Sequence, residues 1–171
     1  MSSQLCLSCG LCCNGAIFGD VELQPEDDRA RLKLLGLRVT NPAQGGLSKF
    51  LQPCSAYKDC KCGIYSERPT YCRQFECLLL KKVRSGVVEQ AAALRVIQQA
   101  RQKLAEINDY LSQLGNTDYA VPHRDRFNQI ARSMNQGGFN RAKAMIFSKL
   151  TISSHELNLL LAKHFYPGVQ E

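Results

Sequence analysis

A chain of 171 residues, 44% of them hydrophobic, has the size and composition of one globular domain, or of a small domain with an appendage. It has no apolar run near the roughly 20 residues that a bilayer-spanning helix needs, and no basic-then-apolar leader, which predicts a cytoplasmic protein without a membrane partner. The formal net charge of +7 is unevenly spread: residues 1–80 carry nine Lys/Arg against eight Asp/Glu, and residues 81–171 carry thirteen against seven.

All nine cysteines lie within the first 77 residues. Thiols serving only as small buried apolar groups would be scattered along the core. In a reducing compartment the clustering points to metal or redox chemistry, and an odd number cannot pair fully as disulfides within one chain. Residues 2–15 form the first group, Cys6, Cys9, Cys12 and Cys13, in C-x-x-C-x-x-C-C order. Spacings of three permit turns that bring several sulfurs together, with Gly10 and Gly15 allowing close packing of the chain. Adjacent Cys12 and Cys13 leave the backbone in different directions, which suits two metals or a bridging thiolate better than one tetrahedral ion.

Val21 to Leu23 reads as a short extended piece. Pro25 reads as the first residue of a helix, with Glu26, Asp27 and Asp28 at its positive end and Gly36 as its stop. Turn signals follow at Asn41-Pro42 and Gly45-Gly46, and Phe50-Leu51 reads as a strand. Cys54, Cys60 and Cys62 form the second group. Pro69 predicts a helix running through Cys72 toward Lys82. On a regular helix Cys72 and Cys77 would point about 140° apart, so either the helix is interrupted or the two do not share a metal.

Beyond Gly86 the pattern is helical. Leu94, Ile97, Leu104, Ile107, Leu111 and Leu114 form one stripe ending at Gly115, which packing on neighbouring helices explains more economically than a second subunit. A second helix is predicted from about Pro122 to Gln136, presenting Phe127, Ile130, Ala131 and Met134, with Gly137-Gly138 as its break. A third spans about Asn140 to Leu150. Ser153 to Glu156 reads as a capping box for a last helix ending before Pro167-Gly168.

Soft thiolates select zinc, iron–sulfur clusters or copper(I). Cys6 and Cys9 make one good zinc pair, but no clean C-x-x-C partner follows, so an ordinary zinc ribbon fits poorly. The ferredoxin pattern fails because Ala16 stands where its fourth cysteine belongs.

The motif Cys6-x-x-Cys9-x-x-Cys12-Cys13, then Pro53-Cys54, then Cys62-Gly-Ile-Tyr65-x-x-Arg68-Pro69-x-x-Cys72-Arg73-x-Phe75-x-Cys77, resembles the CxxCxxCC cysteine-cluster family. That family is described as zinc- or iron-chelating. Its members are often labelled iron–sulfur oxidoreductases, and a flagellin lysine-N-methylase contains a similar domain. The resemblance covers about residues 5–80 and implies that Cys6, Cys9, Cys12, Cys13, Cys54, Cys62, Cys72 and Cys77 are metal ligands. Eight thiolates suffice for two four-ligand sites, which favours zinc over iron or an iron–sulfur cluster.

Arg68 and Arg73 are candidates to offset thiolate charge around the ligands, in preference to salt bridges with Glu67 or Glu76. Tyr65 and Phe75 read as shielding residues. Cys60 falls outside the motif and reads as an incidental thiol or a substitute for Cys62, ahead of a reactive group activated by Lys58 and Lys61. His123, His155 and His164 all lie in the helical half, away from the thiols in sequence.

The expected fold is mainly α: an irregular, cysteine-rich, metal-stapled N-terminal module over residues 1–82, then a helical extension over residues 83–171. So small a module needs its metal for stability. The basic half offers Arg124, Arg126, Arg132, Arg141, Lys143 and Lys149 to a protein or nucleic-acid partner.

Overall fold

The computed structural model describes residues 2–41, 46–135, 137 and 140–166. The turn residues Pro42 and Gly45, the helix end expected at Gln136, Gly138 of the expected Gly137-Gly138 break, and the stop at Pro167-Gly168 lie outside the described residues. The chain divides into two compact units, residues 1–76 and residues 77–171.

The first unit is built from short pieces. In order they are α1 (Ser2–Cys9), β1 (Asp20–Glu22), α2 (Arg29–Leu34), β2 (Val39–Thr40), β3 (Lys49–Leu51), β4 (Tyr57–Lys58), β5 (Lys61–Cys62), a 3₁₀ turn (Tyr65–Glu67) and α3 (Thr70–Gln74). Strand β3 lies between β1 and β2 in an antiparallel sheet, with Phe50 opposite both Val21 and Val39. Phe50 and Val21 are buried while their strand neighbours are exposed or half-buried, so one face of the sheet points into the core. Leu23, Leu32, Leu37 and Ile64 complete that core, and Cys54, Cys62 and Cys72 pack against its margin.

Pro25 does not begin a helix. The acidic run instead forms a turn, in which the Asp27 carboxylate accepts from Gln24 N at 2.9 Å and Asp28 accepts from Arg31 N at 2.9 Å. Asp28 is thereby the N-cap of α2, and satisfying the otherwise orphaned Arg31 donor sets the helix start at Arg29. Gly36, at φ +86°, ends that helix. The helix expected from Pro69 to Lys82 is interrupted: α3 stops at Gln74, and Phe75 and Cys77 are extended before α4 begins.

The second unit contains α4 (Leu78–Arg84), α5 (Gln90–Gln113), α6 (His123–Asn135) and α7 (Arg141–His164). Its main interface is α5 against α7. The inner face of α5 is Ala93, Ile97, Ala100, Leu104, Ile107 and Leu111, and α7 buries Leu150, Ser153, Leu157 and Leu161. Leu94, expected in the stripe, is 39% exposed; Ala93 and Ala100 hold the inner positions, and small side chains there let helices approach closely.

Ser153 to Glu156 does not begin a helix either. Helix α7 runs unbroken from its true N-cap, Asn140, whose side chain accepts from Lys143 N. Burial of Leu150 and Leu157 on one face outweighs the local capping signal, and Glu156 pairs with Lys103 at 2.8 Å. Arg126 is corrected as a phosphate-contact candidate. It is 1% exposed, donates to Asn108 Oδ1, Asn116 Oδ1 and Asn116 O, and lies over the Tyr119 ring. It clamps the α5–α6 connection. Among the described residues no helix is long and apolar enough to cross a membrane.

Candidate metal centre

The cysteines are brought together by backbone geometry before any sulfur is considered. Helix α1 carries Cys6 and Cys9 and ends at Gly10, whose φ of +69° turns the chain. The Gly10 carbonyl accepts from Cys13 N at 3.0 Å and Asn14 N at 2.9 Å, while Asn14 Oδ1 accepts from Ala16 N. The Tyr57 ring lies so close to Gly10 that any side chain there would overlap its hydroxyl. Cys54 N donates to Cys13 O at 2.7 Å, tying the two cysteine groups together directly.

Cys54 leads into the β4–β5 hairpin, in which Cys62 is paired with Tyr57. The two residues at its tip, Asp59 and Cys60, both have positive φ (48° and 61°), the geometry of a two-residue hairpin loop whose second position glycine usually fills. Cys72 lies on α3, which is positioned from its first residue: Asp27 Oδ1 accepts from Thr70 N and from Thr70 Oγ1, at 2.8 and 2.9 Å. Arg73 donates to Thr70 Oγ1 at 2.9 Å. Arg68 stacks on the Tyr65 ring 3.8 Å from its centroid and donates to Tyr65 O. Glu67 pairs with Arg31.

The electrostatics identify neighbours. Burial pushes the Cys13 thiol up to about 12, and charge on Cys54, Cys62 and Cys6 would push the same way, against Arg68. Burial likewise pushes Cys72 up to about 12, reinforced by Cys13, Cys54 and Cys62 and again opposed by Arg68. Cys54 is raised by burial and by Cys62, and is eased down by the backbone N–H groups of Ala56 and Tyr57 and by Arg38. Cys13, Cys54, Cys62 and Cys72 therefore share one electrostatic neighbourhood, in which Arg68 acts on Cys13 and Cys72 and Arg38 on Cys54.

Of the remaining thiols only Cys6 differs in exposure, since Cys13, Cys54, Cys62 and Cys72 are themselves half-buried. Cys6 is exposed on α1, and Cys9 and Cys12 are half-buried. Cys60 is half-buried at the hairpin tip. Cys77 belongs to the second unit, where it is the N-cap of α4; its sulfur accepts from Leu80 N, and burial raises its pKa. Among the described residues, no three His, Cys, Asp or Glu side chains are arranged to hold a metal ion. Thiols are chemically suited to a soft cation, but as placed here the side chains of Cys13, Cys54, Cys62 and Cys72 do not enclose one.

Arg38 and Tyr57 belong to this region without any sequence motif marking them. Arg38 donates to Pro53 O at 2.8 Å, beside Cys54, having come from the far side of the β2–β3 connection. Asp27 looks like helix-end charge in the sequence, yet it anchors α3. Only the tertiary structure reveals these roles.

The model of the CxxCxxCC family, described as a "Putative zinc- or iron-chelating domain", matches residues 5–107. The chain belongs to this family. The CxxCxxCC match takes in all nine cysteines and continues through α4 into α5 as far as Ile107, well past the cysteine motif itself. No curated protein and no solved structure matches the chain.

Proposed function

We propose that this CxxCxxCC protein is a thiolate chelator of zinc. In this reading Cys13, Cys54, Cys62 and Cys72 supply one centre, and Cys6, Cys9, Cys12 and Cys77 are further donors. The reading rests above all on the proximity of those four half-buried thiols, in which charge on Cys54 and Cys62 would act on both Cys13 and Cys72. Buried thiols hold their protons until a cation compensates the charge, and a divalent ion bound by thiolates releases those protons. Four thiolates around a dication leave a net negative charge, which Arg68 partly offsets, while Tyr65 holds the Arg68 guanidinium by stacking. Arg73 supports the centre indirectly through Thr70 and the orientation of α3.

A reducing, cytoplasmic setting would keep the nine cysteines as thiols available to metal. Metal analysis of the full chain purified without oxygen tests the proposal. The expected result is a colourless protein with about one or two zinc ions per chain. A brown preparation absorbing in the visible range would replace zinc with an iron–sulfur cluster and bring forward the oxidoreductase reading. Recovery of no metal under any loading condition would end the chelation proposal. Loss of metal on Cys13→Ser and Cys72→Ser, with Cys60→Ser unaffected, would support the assignment of donors.

A further inference from the structure

Helix α7 is apolar on two opposite sides. One side carries the buried Leu150, Leu157 and Leu161. On the other, Met145, Ile152 and Leu159 are 59%, 58% and 58% exposed. Residues seven apart on an α-helix fall within about 20° of one another, so these three form a straight seam along the outer face. Arg141, Lys149 and Lys163 border it; all three are exposed, and none has a carboxylate partner among the described residues. Glu156, the acidic residue beside the seam, is engaged by Lys103.

We propose that this face of α7 docks one amphipathic helix of a partner protein, with apolar residues along its centre and Asp or Glu on its flanks. Charge complementarity selects the occupant. The helical unit has thirteen Lys/Arg against seven Asp/Glu, and the exposed cations bordering the seam have no ion-pair partner among the described residues. A second copy is disfavoured in both simple registers. Antiparallel pairing about Ile152 sets Arg141 against Lys163 twice, and parallel pairing sets every cation against itself. A lipid surface fits less well, because an interfacial helix presents a broad apolar face whereas this seam is one residue wide, with Ser148 and His155 between its members. A narrow seam with flanking charge is what a single partner helix reads.

The test uses the full chain and a fluorescein-labelled synthetic helix with leucine at every seventh position and glutamate on both flanks, followed by anisotropy. Saturable binding that weakens with added salt is expected, together with at least about tenfold weaker binding of the same peptide carrying lysine flanks. Ile152→Asp should weaken the glutamate peptide about tenfold while far-UV circular dichroism and Tm stay unchanged, since the side chain faces solvent. Should that variant fold poorly, the double variant Lys149→Glu/Lys163→Glu carries the test by reversing the preference between the peptides. Equal binding of both peptides, or no binding, would overturn the proposal. So would binding only to phosphatidylserine vesicles, which would make the face a membrane contact, or sedimentation showing a dimer that Ile152→Asp dissolves.

Discussion

The two units solve the same problem by different physics. In the second, α5 and α7 are 24 residues each, and they bury leucine, isoleucine and alanine along a shared interface. Among the described residues of the first, the longest helix has 8 residues and no strand exceeds 3. Segments that short are marginal by themselves. They are fixed by particular clamps: Asp27 on Thr70, Tyr57 over Gly10, Cys54 N on Cys13 O. Long helices tolerate generic apolar burial, whereas a patchwork depends on single contacts and, in the proposed function, on a bound ion.

The sharpest way to break that contrast is to remove the ion. Serine at Cys72, or exhaustive chelation, should abolish metal binding and loosen the first unit, lowering the near-UV tyrosine signal that Tyr57, Tyr65 and Tyr71 contribute there. Far-UV ellipticity should largely survive, because α5, α6 and α7 carry most of it. A single cooperative loss of both signals would show that the helical unit also depends on the ion.

The converse perturbation is Leu157→Ala. Leu157 is fully buried on α7, and a cavity at such a site costs about 2–5 kcal/mol. Thermal denaturation should show the helical unit destabilised by that amount, with the metal content of the chain unchanged. A loss of metal would mean that the two units are energetically coupled.

What the sequence disclosed follows the same division. The α5 stripe, α6 and the short strand at Phe50 were legible because burial repeats at the period of the element. Leu94 and the Ser153–Glu156 box misled, since both are local signals that helix packing outranks: Ala93 fits the interface better, and a buried Leu157 keeps α7 continuous. In the first unit the cysteine motif marked a candidate chelating segment and the family. It could not say which sulfurs the fold gathers, because Cys13 meets Cys54 through a backbone bond that spacing does not encode. Arg38 was invisible for the same reason, as its role exists only once β2 lies beside Pro53.

The units should also fail at opposite ends of the pH scale. His123 is buried beside Arg124 and Arg126, and burial lowers its pKa from 6.5 to about 4. Above pH 6.5 it is neutral folded and unfolded, so its contribution is intact. Between pH 6.5 and 4 the unfolded chain takes a proton that the folded unit refuses, and stability falls by at most about 3 kcal/mol, levelling off below. In the metal-free chain, Cys13 and Cys72 act in the opposite sense: raised from 9.0 to about 12, they leave stability intact below pH 9 and erode it from there upward. Urea melts across pH, read by helix and tyrosine signals, should separate the two windows, and His123→Gln should flatten the acid one. A His123→Gln variant with an unaltered acid slope would move its origin to the carboxylates.

The smallest expected effect concerns the most conspicuous ion pair. Arg31 donates through Nε and Nη2 to both Glu67 oxygens, at 2.7 and 3.1 Å, a bidentate geometry that joins α2 to the turn before Arg68. Both side chains are well exposed, and salt screens such pairs. The pairing does hold the Glu67 carboxyl below its usual range. Even so, Glu67→Gln should leave the Tm within the scatter of a thermal melt and the metal content unchanged. If that substitution released metal instead, the Arg31–Glu67 link would be setting the position of Arg68 against the thiols. The first unit's clamps would then extend outward to its solvent-exposed surface, as the helical unit's pairs of Lys103 with Glu106 and Glu156 do not.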